Sequence, residues 1–234
     1  MSTPIRNNIF AELTHLLAFI LKETREFDLH QILPGARTQF FRKKGKTIIE
    51  DHFFETRMCL FEEWFLLERP VVQNQTPAEV LVRNQLRRHN PEKMRKIILM
   101  ANSHNSVFEI LSNWKKDNFY VRDILYGSDW HIHHHPPFAT IEPGQFFEGR
   151  LVNFTGENRL FPGIIVYPTL IKEEIDSLTT FLTARGFKKR QIIDLLSKLL
   201  IKAHRYSHLK IKRFFNPSDP MVKVELDHVL EFKE

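Results

Sequence analysis

Apolar residues recur at helical spacing through the first hundred positions. Ile5, Ile9, Leu13, Leu16, Leu17 and Ile20 form one stripe, and Ser2 or Thr3 can cap it with Pro4 at the first helical position. The period fails over 27–35, where Pro34 and Gly35 punctuate a loop. A second helix is expected over about 47–68 on Ile49, Phe53, Leu60, Trp64 and Leu67, stopped by Pro70. Thr76, Pro77, Ala78 and Glu79 spell a capping box with proline at N1. Asn90 and Pro91 repeat the cap-plus-proline device before Met94, Ile97, Ile98 and Met100. Four helices with short connections predict a small bundle.

After about residue 102 the texture becomes β-compatible. Runs at 106–115 and 119–125 flank the turn-like Lys116, Asp117 and Asn118. Glu142, Pro143, Gly144 and Gln145 suit a type II turn. Runs at 146–154 and 160–167 flank a second hairpin signal at 155–158. Four or five short strands in sequence predict an antiparallel meander, or a small barrel of SH3-like or OB-like size. Helix returns over 170–185, with Glu173, Glu174 and Asp176 at its positive end and Gly186 to close it. In the strongest helix, 188–208, Ile192, Leu196, Leu199, Ala203 and Tyr206 form the apolar stripe, with Arg190, Lys198, Lys202 and Arg205 opposite. In the tail, 221–226 reads as an added strand. The expected class is α+β, with a helical region at 1–103, a β region at 104–168 and C-terminal helices with a tail at 169–234.

Composition sharpens this picture in two places. Phenylalanine is abundant, 21 of 234 residues, which predicts well-anchored cores or an aromatic surface for a partner chain. Cys59 is the sole cysteine, so an intramolecular disulfide is excluded; it is expected as a core thiol. The N-terminus does not read as a signal peptide, and the apolar run 13–21 is too short to span a bilayer. A soluble, cytoplasmic protein is expected.

Charge is unevenly distributed. Residues 188–213 carry nine lysines and arginines against Asp194 alone, so a net +6 chain is slightly acidic elsewhere. Such a footprint suits an anionic partner. The charge-contact candidates are Lys188, Lys189, Arg190, Lys198, Lys202 and Arg205. A smaller basic segment, Arg37 to Lys46, joins them, and Phe40, Phe41, Phe214 and Phe215 offer stacking surfaces for single-stranded bases. The alternative is a solvated polar face on a packed helix, with Phe40 and Phe41 in the core.

Phe61, Glu62, Glu63, Trp64, Phe65, Leu66 and Leu67, followed by Thr76 and Pro77, make one recognisable stretch. Residues 142–168, with Pro143, Gly144, Gly149, Arg150, Leu151, Val152, Pro162 and Gly163, make another. Together they resemble uncharacterised bacterial proteins in which a helical region precedes a small β domain, some with a zinc-binding SEC-C module. That module needs several cysteines and is missing from this chain. The resemblance implies an architecture and no activity.

The other chemical feature is a histidine cluster. On an extended strand, His131, His133 and His135 project from one face, a set that suits zinc or a similar divalent metal, with Asp129 or His52 as further donors. Against this, i and i+4 on a strand lie too far apart to share one ion without a bend, and Pro136 and Pro137 suggest an open histidine-rich loop. Arg150 reads as a paired strand arginine. The chain has no G-x-S-x-G, phosphate-cradling glycine loop or H-E-x-x-H. The expected function is binding or adaptor work on nucleic acid or an acidic protein. A metal-dependent hydrolase and a structural interaction module are the alternatives.

Overall fold

The computed structural model describes residues 6–24, 29–85, 90–115, 118–134, 142–154 and 156–231. The expected cap at Ser2, Thr3 and Pro4, the turn at 116–117 and His135 lie outside them. Helices α1 (Arg6–Thr24), α2 (Leu33–Lys44), α3 (Phe54–Leu67), α4 (Pro77–Gln85) and α5 (Pro91–Ala101) precede the strands. Helices α6 (Lys172–Ala184), α7 (Lys189–Arg205) and α8 (Pro220–Glu231) follow them, so the class is α+β. None of the described helices is long and apolar enough to cross a membrane.

The capping signals act as the sequence predicts. The Thr76 amide donates to Glu79 Oε2 at 2.7 Å and Thr76 Oγ1 accepts the Glu79 amide at 3.3 Å. Asn90 Oδ1 accepts the Glu92 amide at 2.8 Å. Three expectations are corrected. Pro34 and Gly35 open α2 instead of marking a loop, because proline in a first turn has no intrahelical acceptor to lose. Residues 47–53 are not helical: Asp51 Oδ2 accepts from Thr47 Oγ1 and the Ile48 amide, and this local turn competes with helix. The expected C-terminal strand is helix α8, started by Pro220 and by Asp219 Oδ1, which accepts the Met221 amide at 3.0 Å.

Among the described residues six strands form: β1 (His104–Lys115), β2 (Asn118–Asp123), β3 (Asp129–His134), β4 (Phe146–Phe154), β5 (Glu157–Leu160) and β6 (Ile165–Tyr167). The expected run 160–167 breaks at Pro162 and Gly163 into the end of β5 and β6. Beyond the β1–β2–β3 meander, the pairing follows the barrel alternative. β1 pairs β2, β2 pairs β3, β3 pairs β5 in parallel, β5 pairs β4, and β4 returns to the first half of β1. That ring closes a five-stranded barrel with the connectivity of an OB-type fold, and β6 extends it from β4. Phe108, Ile110, Phe119, Val121, Ile132, Phe147, Leu151, Leu160 and Ile164 fill its interior.

A larger core lies between the barrel wall and the helices, and it draws side chains from all three sequence segments. Strand β4 is buried on both faces for this reason. Phe147 and Leu151 point into the barrel, whereas Glu148 and Arg150, at alternate positions, face the helices. Gly163 closes this seam. Its amide donates to Glu63 Oε1 at 2.7 Å, and a Cβ there would stand 2.8 Å from that oxygen and 2.9 Å from Leu60. Gly163→Ala is expected to cost ~1–3 kcal/mol, read as a lower melting temperature with an unchanged far-ultraviolet dichroism spectrum.

Candidate nucleic-acid interface

Two basic segments far apart in sequence meet in one recess. Arg42 and Lys43, in the last turn of α2, stand with the α7 N-cap Lys188, with Arg190, Gln191, Asp194 and Lys198 of α7 and with His228 and Val229 of α8 around a cavity of about 120 Å³. Beneath it the helices are pinned by buried charge. Lys44 Nζ donates to Glu148 Oε1 and, at 3.3 Å, to Ser197 Oγ, while Ser197 Oγ donates to Glu148 Oε2. Asp194 Oδ1 lies 3.4 Å from the same ammonium. Lys44, Glu148 and Ser197 are all buried, so the next residue along from Lys43 fixes the position of the cationic wall.

The six predicted contact residues divide into two groups. Lys198 and Lys202 both pair with Glu225 of α8, a buried carboxylate that these ammonium groups hold below its ordinary range against the cost of burial. Arg205 pairs with Asp51 at 2.7 Å and also donates to the Lys46 carbonyl. Arg190 pairs with Glu68, which also receives Arg150, as the paired-arginine expectation requires. Lys188 and Lys189 begin α7; Gln191 Oε1 accepts the Lys188 amide at 2.9 Å, and the Lys189 ammonium sits 3.2 Å from the centre of the Tyr126 ring. Reversing Lys198 and Lys202 would strand Glu225 among like charges, so that double variant reads stability as well as binding.

The stacking expectation is corrected. Phe40, Phe41, Phe214 and Phe215 are all buried and serve the core. Among the described residues, the large apolar side chains at the surface are tyrosines and aliphatics, not phenylalanines. Among the described residues, the exposed aromatic side chains of the barrel are Tyr120 on β2 and Tyr126 in the turn to β3, a placement that required the strand pairing to be known.

His131 and His133 do share the outward face of β3, with ring centres 4.2 Å apart, and the Tyr120 ring stacks on His131 at 4.7 Å. Burial and the neighbouring His133 lower the His131 pKa. The Asn158 amide donates to His133 Nδ1 at 3.2 Å. A neutral imidazole accepting at Nδ1 carries its proton on Nε2, the nitrogen that would otherwise be open to a metal. Of the further donors, Asp129 pairs with Arg122 at 2.9 Å, and His52 stacks on His204. No three or more histidine, cysteine, aspartate or glutamate side chains among the described residues are placed to share an ion. Cys59 is half-buried, and its thiol is pushed up to about 11 by burial and by Glu63, Glu62 and Glu55, which leaves it a poor nucleophile.

Comparison of the chain with models of protein families, with curated proteins and with solved structures found no match to any of them.

Proposed function

We propose that this chain is a binding protein, not an enzyme, and that the recess between α2, α7 and α8 receives phosphate groups of a nucleic acid. The observation that carries this reading is the convergence of Arg42 and Lys43 with Lys188, Arg190 and Lys198 on one cavity that also contains the start of α7. Three consecutive cations at the N-terminus of a 17-residue helix have the wrong sign for its dipole. A bound anion relieves that conflict, and helix N-termini bind phosphate for the same reason. The OB-type connectivity adds an analogy at the level of fold, since such barrels commonly hold oligonucleotides, although a fold alone does not fix a function.

The test is fluorescence anisotropy of labelled oligonucleotides across a salt series. Wild-type protein is expected to bind with an affinity that falls steeply as salt rises. Arg42→Glu with Lys188→Glu is expected to weaken binding at least about tenfold and to flatten the salt slope by roughly two, one for each phosphate contact removed. No binding at the lowest salt would overturn the reading. Salt-sensitive binding to polyglutamate without binding to oligonucleotides would reassign the recess to an acidic protein.

A further inference from the structure

Lys188 and Arg190 line the recess, while Lys189 between them turns onto the ring of Tyr126. Tyr126 belongs to the turn joining β2 to β3 and is 52 % exposed. An exposed ring is ordinary, but this one is held unusually firmly. The wholly buried Asp123 carboxylate accepts the Tyr126 amide at 3.0 Å and the Leu125 amide at 2.9 Å through Oδ1. The same carboxylate takes Ser106 Oγ at 2.8 Å, and its other oxygen lies 2.6 Å from His104 Nε2. Gly127, at φ +71°, completes the turn by donating its amide to the Asp123 carbonyl at 2.8 Å. His104 then packs against the Tyr126 ring edge to face, 4.6 Å between centres at 76°. The ring is fixed before any ligand arrives, which lowers the ordering cost of binding.

Tyr120, which is 38 % exposed, stacks on His131 on the outward face of β2 and β3, where Arg122 is paired with Asp129. Beside the basic recess the surface therefore sets cation and π face together, with Lys189 over Tyr126. A single strand sets phosphates beside bases in the same way, whereas a duplex keeps its base faces inside.

We infer that the nucleic acid is single-stranded and that Tyr126 stacks one of its bases while the recess holds a neighbouring phosphate. This rests on the phosphate-binding reading of the recess. The Lys189 ammonium covers the ring only through an exposed cation–π contact, which is weak; a base displaces it, and the released ammonium pairs with the strand. Tyr126 thereby takes the part that the buried phenylalanines cannot play.

The experiment compares labelled oligo(dT) and oligo(rU) of about 12 nucleotides, within the span an OB barrel covers, with a duplex of the same length. Wild type, Tyr126→Ala and Tyr126→Phe are each titrated at several salt concentrations, with thermal melting to confirm folding. The single strands are expected to bind more tightly than the duplex. Tyr126→Ala is expected to weaken single-strand binding about tenfold with an unchanged salt slope, because no cation is lost, and Tyr126→Phe to retain wild-type affinity. Equal affinity of wild type and Tyr126→Ala for the single strands, or equal affinity of wild type for duplex and single strand, would overturn the inference while leaving the recess in place. If wild type binds neither form, the phosphate-binding reading falls and takes this one with it.

Discussion

Replacing Lys44 by methionine is expected to destabilise the fold by ~3–5 kcal/mol, the usual cost of removing one partner from a buried ion pair. For a chain of this size that lowers the melting temperature by roughly 10 °C. Glu148 is wholly inaccessible, and its charge is answered by the Lys44 ammonium and the Ser197 hydroxyl. Without Lys44 the Ser197 hydroxyl and the field of the Arg57 guanidinium remain, with the Asp194 carboxylate close by. The double variant Lys44→Met with Glu148→Leu is expected to recover most of the loss, since both charges then go and an apolar pair of similar volume replaces them. Additive effects in this cycle would show that the two groups do not depend on each other. The pair has a functional consequence as well. It ties the end of α2 to β4 and α7, so Lys44→Met is expected to loosen the wall carrying Arg42 and Lys43 and to weaken oligonucleotide binding even where the protein still folds.

How much of this was legible in the chain depends on the range of the interaction concerned. Helices α4 and α5 were readable because Thr76 with Glu79, and Asn90 with Glu92, satisfy their amides within three residues. Helix α8 begins with the same device, Asp219 before Pro220, but the alternation of Val222 and Val224 imitates a strand. The hairpins were visible from their turns. A small barrel was one of the two arrangements expected, but the pairing that closes it was not legible, because the parallel β3–β5 contact and the turn of β1 from β2 to β4 leave no local mark. For the site, both basic segments stood out as charge runs, yet nothing distinguished the buried Lys44 from its neighbours Arg42 and Lys43. The partners Glu225, Asp51 and Glu68, which occupy Lys198, Lys202, Arg205 and Arg190, all lie on other elements. The phenylalanines near the cations looked like stacking surfaces because the sequence does not reveal burial, and Tyr126 was passed over because it stands alone in a turn.

The second large effect concerns pH and is expected at Glu63. This side chain is wholly buried where α3 meets the barrel; burial pushes its carboxyl up to about 8, and the hydrogen bond from the Gly163 amide only partly opposes that. Arg150 lies nearby, but its guanidinium pairs with Glu68 and its Nε remains 3.9 Å from Glu63 Oε2. A carboxyl whose pKa is higher in the folded state keeps a proton that the unfolded chain releases. Its contribution to stability is therefore complete below the unfolded value of 4.5, declines as pH rises from there to about 8, and is level above. At about 1.36 kcal/mol per pKa unit, the decline amounts to ~4–5 kcal/mol across that window. Glu63→Gln keeps a carbonyl for the Gly163 amide and removes the titration. The variant is expected to match wild type near pH 5 and to exceed it progressively toward pH 8, measured as the difference between their urea unfolding free energies at each pH. Other groups titrate in this range, and the difference cancels them. If the two proteins instead lose or gain stability in parallel, Glu63 is ionised in the fold and shares the charge of Arg150 with Glu68, which would make the chain Glu63, Arg150, Glu68 and Arg190 one continuous ionic link from the barrel seam to the rim of the basic recess.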